Sequence, residues 1–263
     1  MLVGLNESGE TSAMLIDNPK GGFSFVKGIG PFSSGAVADA GFEIVHAVAM
    51  PLIKLDDGYG AIERHMREVG RPLHAVCGME LRIPKPLTSA GFDEFNRGYL
   101  KRLAAWDVHL DGNNPIARTN VAIETTPIAE PMLYGFYYTT ASSKPSRTFV
   151  LAGAGEVKSM SAGKLEIVAG DDVSPSGLAQ KTKFVIDLLA SRLAEMKMTW
   201  ADATTVNLYM VHDANTVIAS TILPELGVAA HRGVTWHYTR PPIDVMQMEI
   251  DAHAVMTEVV FSG

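Results

Sequence analysis

Residues 57–83 read DGYGAIERHMREVGRPLHAVCGMELRI, and the hydrophobic period changes in the middle of the run. Tyr59, Ile62, Met66 and Val69 recur at steps of three and four, the spacing of one helical face. Asp56 and Asp57 stand where a helix begins, and Gly70 and Pro72 stop it. Beyond the proline, Ala75, Cys77, Met79, Leu81 and Ile83 alternate with His74, Val76, Gly78, Glu80 and Arg82, which is the period of a strand. Pro84 and Pro86 end it. A helix followed directly by a strand predicts a mixed fold of helices and strands.

Working outward, FSFVKG from Phe23 and EIVHAVAM from Glu43 are short, rich in Phe, Val and Ile, and read as strands. Downstream, Phe92, Phe95, Tyr99, Leu103 and Trp106 have helical spacing. After the turn DGNNP, two more strands are predicted near IARTNVAI and MLYGFYYT. The tract ASSKPSR at 141–147 has linker composition, and beyond it the same order begins again. TFVLAGAGEV and KLEIVAG read as strands, and Pro175 opens a helix with Leu178, Val185, Leu189, Leu193 and Met196 on one face. Val206, Leu208 and Met210 form a strand, a short helix follows near 215–226, and GVTWHYT and VMQMEIDAHAV close the unit as strands. The expected organisation is a first module at 1–140, a linker at 141–147 and a second module at 148–263, each a mixed β-sheet with two helices packed on one face. Repeats of about 115 residues are too long for a solenoid and suit one domain each.

Composition narrows the partners. Of 263 residues, 47% are hydrophobic and 19% charged, no apolar run approaches a membrane span, and the start MLVGLNESGE has no basic head before an apolar stretch. A cytoplasmic protein without membrane attachment is expected. Lys and Arg number 22 against 29 Asp and Glu, a formal net charge of -7, which disfavours nucleic acid as a partner. Cys77 stands alone, so no internal disulfide forms, and its place in an apolar strand face reads as a buried inert thiol. No His-Glu-x-x-His or Gly-x-Ser-x-Gly motif is present, and His231, His237 and His253 sit in strand-like positions, so no metal site is expected. His212-Asp213-Ala214-Asn215 lies between a strand and a helix and reads as capping.

Three segments of the first unit carry a resemblance: Gly30-Pro31-Phe32-Ser33-Ser34-Gly35-Ala36 before a strand, Asn96 and Tyr99 three residues apart on the second helix, and Ile116-Ala117-Arg118-Thr119-Asn120-Val121. In the second unit, Phe149-Val150-Leu151-Ala152-Gly153, Arg232 and Glu249-Ile250-Asp251-Ala252-His253-Ala254-Val255 continue it. In order and spacing the chain resembles the reactive-intermediate deaminase (RidA, YjgF-type) family. The resemblance implies an α+β fold of two tandem RidA/chorismate-mutase-like modules and a homo-oligomer built on a trimer or pseudo-trimer. It implies cofactor-free hydrolysis of small imine or enamine carboxylic acids, of the 2-iminoacid or 2-aminomuconate kind, with release of ammonia.

Departures from the pattern distribute unevenly. Phe32 replaces the usual tyrosine, Ser34 a glutamine, and Ala47-Val48 a Ser-Gly pair, while LYGFYYT lacks the family's acid. The second unit lacks the opening motif and the helix asparagine but keeps Gly153, Arg232 and Glu249. The resemblance therefore implies one composite site. Arg118 and Glu249 are its catalytic candidates, with Arg118, Asn96, Tyr99, Phe32 and Gly153 binding substrate and Arg232 in a diverged or vacant second site. Independently of the family, an arginine's planar fork holds a carboxylate by two parallel hydrogen bonds. A carboxylate can place water against an imine carbon and move protons to the departing amine. Without the resemblance, Arg118 reads as a surface ion pair, and Glu249, Asp251 and His253 as a solvated sheet face. A non-catalytic carboxylate-binding or regulatory module is the alternative, and an endoribonuclease is disfavoured by the charge.

Overall fold

The strand read from the alternation around Cys77 is buried at all eight of its residues, Val76–Ile83. Both of its faces are covered, one by helices and the other by a second sheet. The computed structural model describes residues 15–29, 32–144, 147–161 and 164–263. The stretch MLVGLNESGE, Gly30 and Pro31 of the opening motif, and Pro145 and Ser146 of the linker lie outside the described residues.

The chain begins with β1 (Leu15–Asn18), β2 (Phe23–Lys27), β3 (Ser33–Ala38) and the long β4 (Phe42–Lys54). Helix α1 (Leu55–Glu68), β5 (Val76–Ile83), α2 (Ser89–Ala105), β6 (Ala117–Ile123) and β7 (Met132–Ala141) follow. Asp56 and Asp57 occupy the first turn of α1, where the helix dipole favours negative charge. Thr88 caps α2 by accepting from the Gly91 N–H at 3.1 Å. The second half supplies β8 (Phe149–Leu151), β9 (Ala154–Gly155), β10 (Val157–Ser161), β11 (Lys164–Ile167) and α3 (Pro175–Glu195). It ends with β12 (Thr205–Met210), a helical stretch over 215–226 containing a π turn at Ile218–Ile222, β13 (Thr235–His237), β14 (Thr239–Arg240), β15 (Met248–Ala254) and β16 (Thr257–Phe261). Pro175 starts α3 as expected, with Ser174 accepting from the Gly177 N–H at 3.2 Å.

These strands form two mixed sheets and the small β10–β11 hairpin. The first sheet runs β1-β2-β3-β8-β15-β12-β13, with β9 also on β15, and the second runs β14-β6-β5-β7-β4-β16. Parallel pairs occur in both: β12 with β13, β5 with β6, and β4 with β16. Leu178, Val185, Leu189 and Leu193 of α3 pack on Leu208, Met248 and Ile250 of the first sheet. Tyr59, Ile62 and Met66 of α1 and Leu103 of α2 pack on Met79, Leu81 and Phe136 of the second. The inner faces meet through Phe23, Phe25, Ala36 and Val150 on one side and Ile44, Cys77, Ala117 and Tyr137 on the other. The result is four layers, helices outside and two sheets within, an α+β arrangement with helices on one face of each sheet. Among the described residues, no helix is long and apolar enough to cross a membrane.

The strands are exchanged between the halves. The N-terminal strands β1–β3 belong to the sheet made mainly by the second half, joined through β3 and β8 with Ala36 opposite Val150. Conversely, β16 leaves the second half to lie beside β4, Val259 opposite Ala47. Two expected strands are subdivided for the same reason. TFVLAGAGEV forms β8, β9 and the start of β10. GVTWHYT gives β13 to one sheet and β14 to the other, where Thr239 lies opposite Ile123.

Candidate active site

The two sheets meet beside β6, the strand between β14 and β5. Alternation sends Ala117 and Thr119 toward the inner space, where the Thr119 hydroxyl donates to Asp251 Oδ2 at 2.6 Å. Arg118 and Asn120 take the opposite face, toward α2. Arg118 is buried, and its Nη2 donates to Asn96 Oδ1 at 2.6 Å. The guanidinium carbon lies 4.5 Å from the ring centre of Tyr99, with Phe95 at 5.5 Å, Phe92 at 5.6 Å and Phe32 at 5.7 Å. Those ring faces are electronegative and compensate part of the cost of burying a cation. Burial lowers the Arg118 pKa from its ordinary value. Phe92, Phe95, Asn96 and Tyr99 come from successive turns of α2, so the helical spacing read from sequence assembles most of the box, and Phe32 joins it from the segment before β3.

The second half reaches this corner through backbone. The Gly153 N–H donates to the Arg118 carbonyl at 3.3 Å, bringing the segment after β8 against the part of β6 that β14 leaves unpaired. A Cβ on Gly153 would overlap the Glu249 carboxylate, lying 2.8 Å from its Cδ, so glycine is what leaves room for the acid. Glu249 is buried, and burial followed by the negative charge of Asp251 pushes its pKa up to about 8. Arg118 and the backbone N–H of Asn120 oppose that rise. Six of the residues singled out from sequence, Arg118, Asn96, Tyr99, Phe32, Gly153 and Glu249, therefore meet at one seam between the halves of a single chain.

Arg232 does not join them. It ends the tight helical turn Gly227–Arg232 and is exposed, three residues before β13 begins. The turn extends the helical stretch further than the sequence signals suggested, which keeps Arg232 off any strand. The supposed solvated face of β15 is also corrected: the alternation is right, but Glu249, Asp251 and His253 are all buried because a second sheet covers them. Asp251 accepts from Asn207 Nδ2 at 2.8 Å and from the Tyr209 hydroxyl at 3.0 Å. Its pKa is raised, first by burial and then by the charge of Glu80. Cys77 is buried with its pKa pushed up by burial, as expected of an inert thiol.

Two buried polar side chains at this corner escaped the sequence reading. Asn120 is buried, and among the described residues neither its Oδ1 nor its Nδ2 has a hydrogen-bond partner, nor does Arg118 Nη1. Standing two residues beyond an arginine on the same strand face was the available signal. Arg192, buried on α3, donates to the Ala152 carbonyl at 3.3 Å beside Gly153. Its pKa is pushed down to about 10 by burial, with the charges of Glu195 and Glu249 holding it up. As one of several charges along a long helix it gave no signal. A surface groove of about 660 Å³ between α1 and α2 shares Phe95 and Tyr99 with the box but does not reach Arg118, and it gathers none of these buried groups.

The fold and site define a two-sheet α+β protein with a buried arginine and a protonatable glutamate brought together from its two halves. Over residues 15–259 the chain belongs to the family described as 2-aminomuconate deaminase CnbZ. It is similar to the 2-amino-5-chloromuconate deaminase of Comamonas testosteroni, 37% identical over 246 residues that make up 91% of this chain and 96% of that protein. Among solved structures it is similar to a chorismatase, at 12% identity and TM-score 0.42, over 91% of this chain and 78% of that one. It is also similar to the conserved Rid-family protein YyfB of Yersinia pestis, at 22% identity and TM-score 0.29, over 45% of this chain and 84% of that one.

Proposed function

We propose that the chain is a cofactor-free hydrolytic deaminase of 2-amino dienedioic acids of the 2-aminomuconate type, working at one composite site in a fused pair of Rid-like modules. The observation that carries this reading is the half-used Arg118 fork, with Nη2 on Asn96 and Nη1 unpartnered, beside a glutamate with a pKa of about 8. Such a fork takes a carboxylate, and a site with the two buried guanidiniums of Arg118 and Arg192 suits a dicarboxylate.

Glu249, neutral below about pH 8, donates a proton to a chain carbon of the enamine, which becomes an iminium at C2. The carboxylate so formed takes a proton from water as the hydroxyl adds to C2. The hydroxyl proton of the resulting carbinolamine then passes to nitrogen, the C–N bond breaks, and ammonia leaves a 2-keto acid. Water enters and ammonia leaves, with Glu249 returned to its starting state. The substrate carbon is already electrophilic once protonated, so acid–base chemistry suffices.

The test is ammonia release and loss of diene absorbance from freshly generated 2-aminomuconate. Arg118→Ala is expected to lower kcat/KM by roughly 10- to 150-fold, the equivalent of one charge-assisted hydrogen-bonded contact. Arg232→Ala is expected to stay within about twofold, as for a surface change that touches nothing. Equal losses from both would overturn the single-site reading. Saturable binding without turnover would instead favour a non-catalytic carboxylate-binding module.

A further inference from the structure

Six buried side-chain atoms among the described residues lack a hydrogen-bond partner, and three of them, Arg118 Nη1 and Asn120 Oδ1 and Nδ2, lie on one face of β6 two residues apart. Buried amides are almost always satisfied, and an asparagine left open at both ends is a group prepared for a ligand. The ligand's chemistry follows from which end faces what. Arg118 Nη1 can only donate, so the ligand group it meets is an acceptor, the carboxylate of the preceding reading. An amide lying beside that carboxylate must offer its Nδ2 donor to the second oxygen. Its Oδ1 is then turned to the substituent next to the carboxylate, and Oδ1 can only accept.

We propose that Asn120 is the specificity-determining residue that recognises an N–H group on the carbon adjacent to the substrate carboxylate, and that it disfavours the keto product. This rests on the reading of Arg118 as a carboxylate anchor. At the substituent beside the carboxylate, substrate and product differ in kind: an amine presents hydrogen to Oδ1, whereas a keto oxygen presents a lone pair. Turning the amide over does not rescue the product, because Oδ1 would then face the carboxylate. The same two-ended geometry favours the amine on arrival and weakens the hold on the keto acid after ammonia has left. Sites that are built to pair a polar group reject the analogue that cannot pair with it.

Pyrrole-2-carboxylate and furan-2-carboxylate test this on the intact protein, being planar acids of equal size with N–H or O beside the carboxylate carbon. Calorimetry on the wild type is expected to give at least about tenfold tighter binding of the pyrrole acid, the size of one unpaired buried polar contact. Asn120→Leu, or Asn120→Ala should the leucine variant not fold, is expected to bring the ratio to within about twofold, with the pyrrole acid losing more affinity than the furan acid because both lose the Nδ2 contact and only the pyrrole loses the Oδ1 contact. Equal affinities in the wild type overturn the proposal while leaving the carboxylate anchor standing, provided Arg118→Ala abolishes both. A ratio that survives in the Asn120 variants assigns the discrimination to another group and also overturns it. If neither acid binds, the carboxylate reading of Arg118 fails, and this proposal fails with it.

Discussion

Two buried carboxylates, Glu249 and Glu80, occupy comparable corners of the two sheets and are treated in opposite ways. On β15, Glu249 lies opposite Tyr209 of β12, whereas on β7 the matching place opposite Glu80 of β5 is Gly135. Acid and non-acid have changed strands. Glu80 is held by His46 Nε2 at 2.9 Å and receives the Tyr137 hydroxyl at 3.1 Å, and His46 continues through Nδ1 to Glu258 at 2.9 Å. A Cβ at Gly135 would fall 3.0 Å from Glu80 Oε2 and 3.1 Å from His46 Nε2, so that corner is filled by its own side chains. Burial alone would raise the Glu80 pKa, but the attraction and hydrogen bond of His46 outweigh it and the net shift is downward. Among the described residues Glu249 makes no ion pair of this kind, and burial with the charge of Asp251 outweighs the attraction of Arg118 and shifts its pKa up to about 8. A buried acid with its counter-ion built in is structural, and one without is available for chemistry.

The sharpest way to break the comparison is Glu249→Gln. Turnover of 2-aminomuconate is expected to fall by roughly 100- to 10,000-fold, the usual contribution of a positioned acid–base group. In the wild type, kcat/KM is expected to fall as pH rises through about 8, because the proton donor is lost there. The stability that Glu249 contributes should fall over the same rise in pH. A carboxyl whose folded pKa lies above its unfolded value contributes stability at low pH that is lost as pH rises through the folded pKa. Above about pH 8, Glu249→Gln should therefore melt no lower than the wild type, and higher if the ionised acid is as costly as its shift implies. A variant that is both fully active and less stable would make Glu249 structural.

Next in size is Gly153→Ala, which keeps the acid and removes its room. The added methyl overlaps the carboxylate, so Glu249 must turn from its present direction. A displacement of about 1 Å can cost on the order of 100-fold in turnover. The loss should fall on kcat more than on KM, since Arg118 and Asn96 are untouched. An unchanged kcat would show that the direction of the carboxylate is immaterial.

The contrast between the corners also marks what the sequence could and could not reveal. The period change between Val69 and Ala75 was legible because helix and strand spacing are local. So were α2, with Asn96 and Tyr99 on one side, and the alternation of Glu249, Asp251 and His253. Whether that alternating face is wet or dry depends on a partner more than 100 residues away, as the contact of Thr119 with Asp251 illustrates. The same distance hides the departure of β16 to β4 and the division of GVTWHYT between sheets. The placement of Arg232 failed for a nearer reason: glycine and small residues at 227–230 supported a tight helical turn as readily as a loop running into a strand.

A smaller expected effect on turnover tests the other corner. Glu80→Gln removes the counter-ion that His46 and the Tyr137 hydroxyl are arranged around, and breaking one side of a buried pair costs about 3–5 kcal/mol of stability. The pH dependence has the opposite sign from that of Glu249. A carboxylate whose folded pKa is depressed contributes stability that is present above its ordinary value near 4.5 and is lost as pH falls toward the lower folded value. The wild type should therefore lose stability on acidification across that window, and Glu80→Gln should show a shallower decline from a lower starting point. Turnover at pH 7 by the folded fraction should change by less than about threefold, as for a residue that does not touch substrate. Glu80 also acts electrostatically on Asp251, and Asp251 on Glu249. A large loss of kcat in a variant that remains folded would mean that this chain of buried acids sets the charge of Glu249, and the two corners would then form one titrating system.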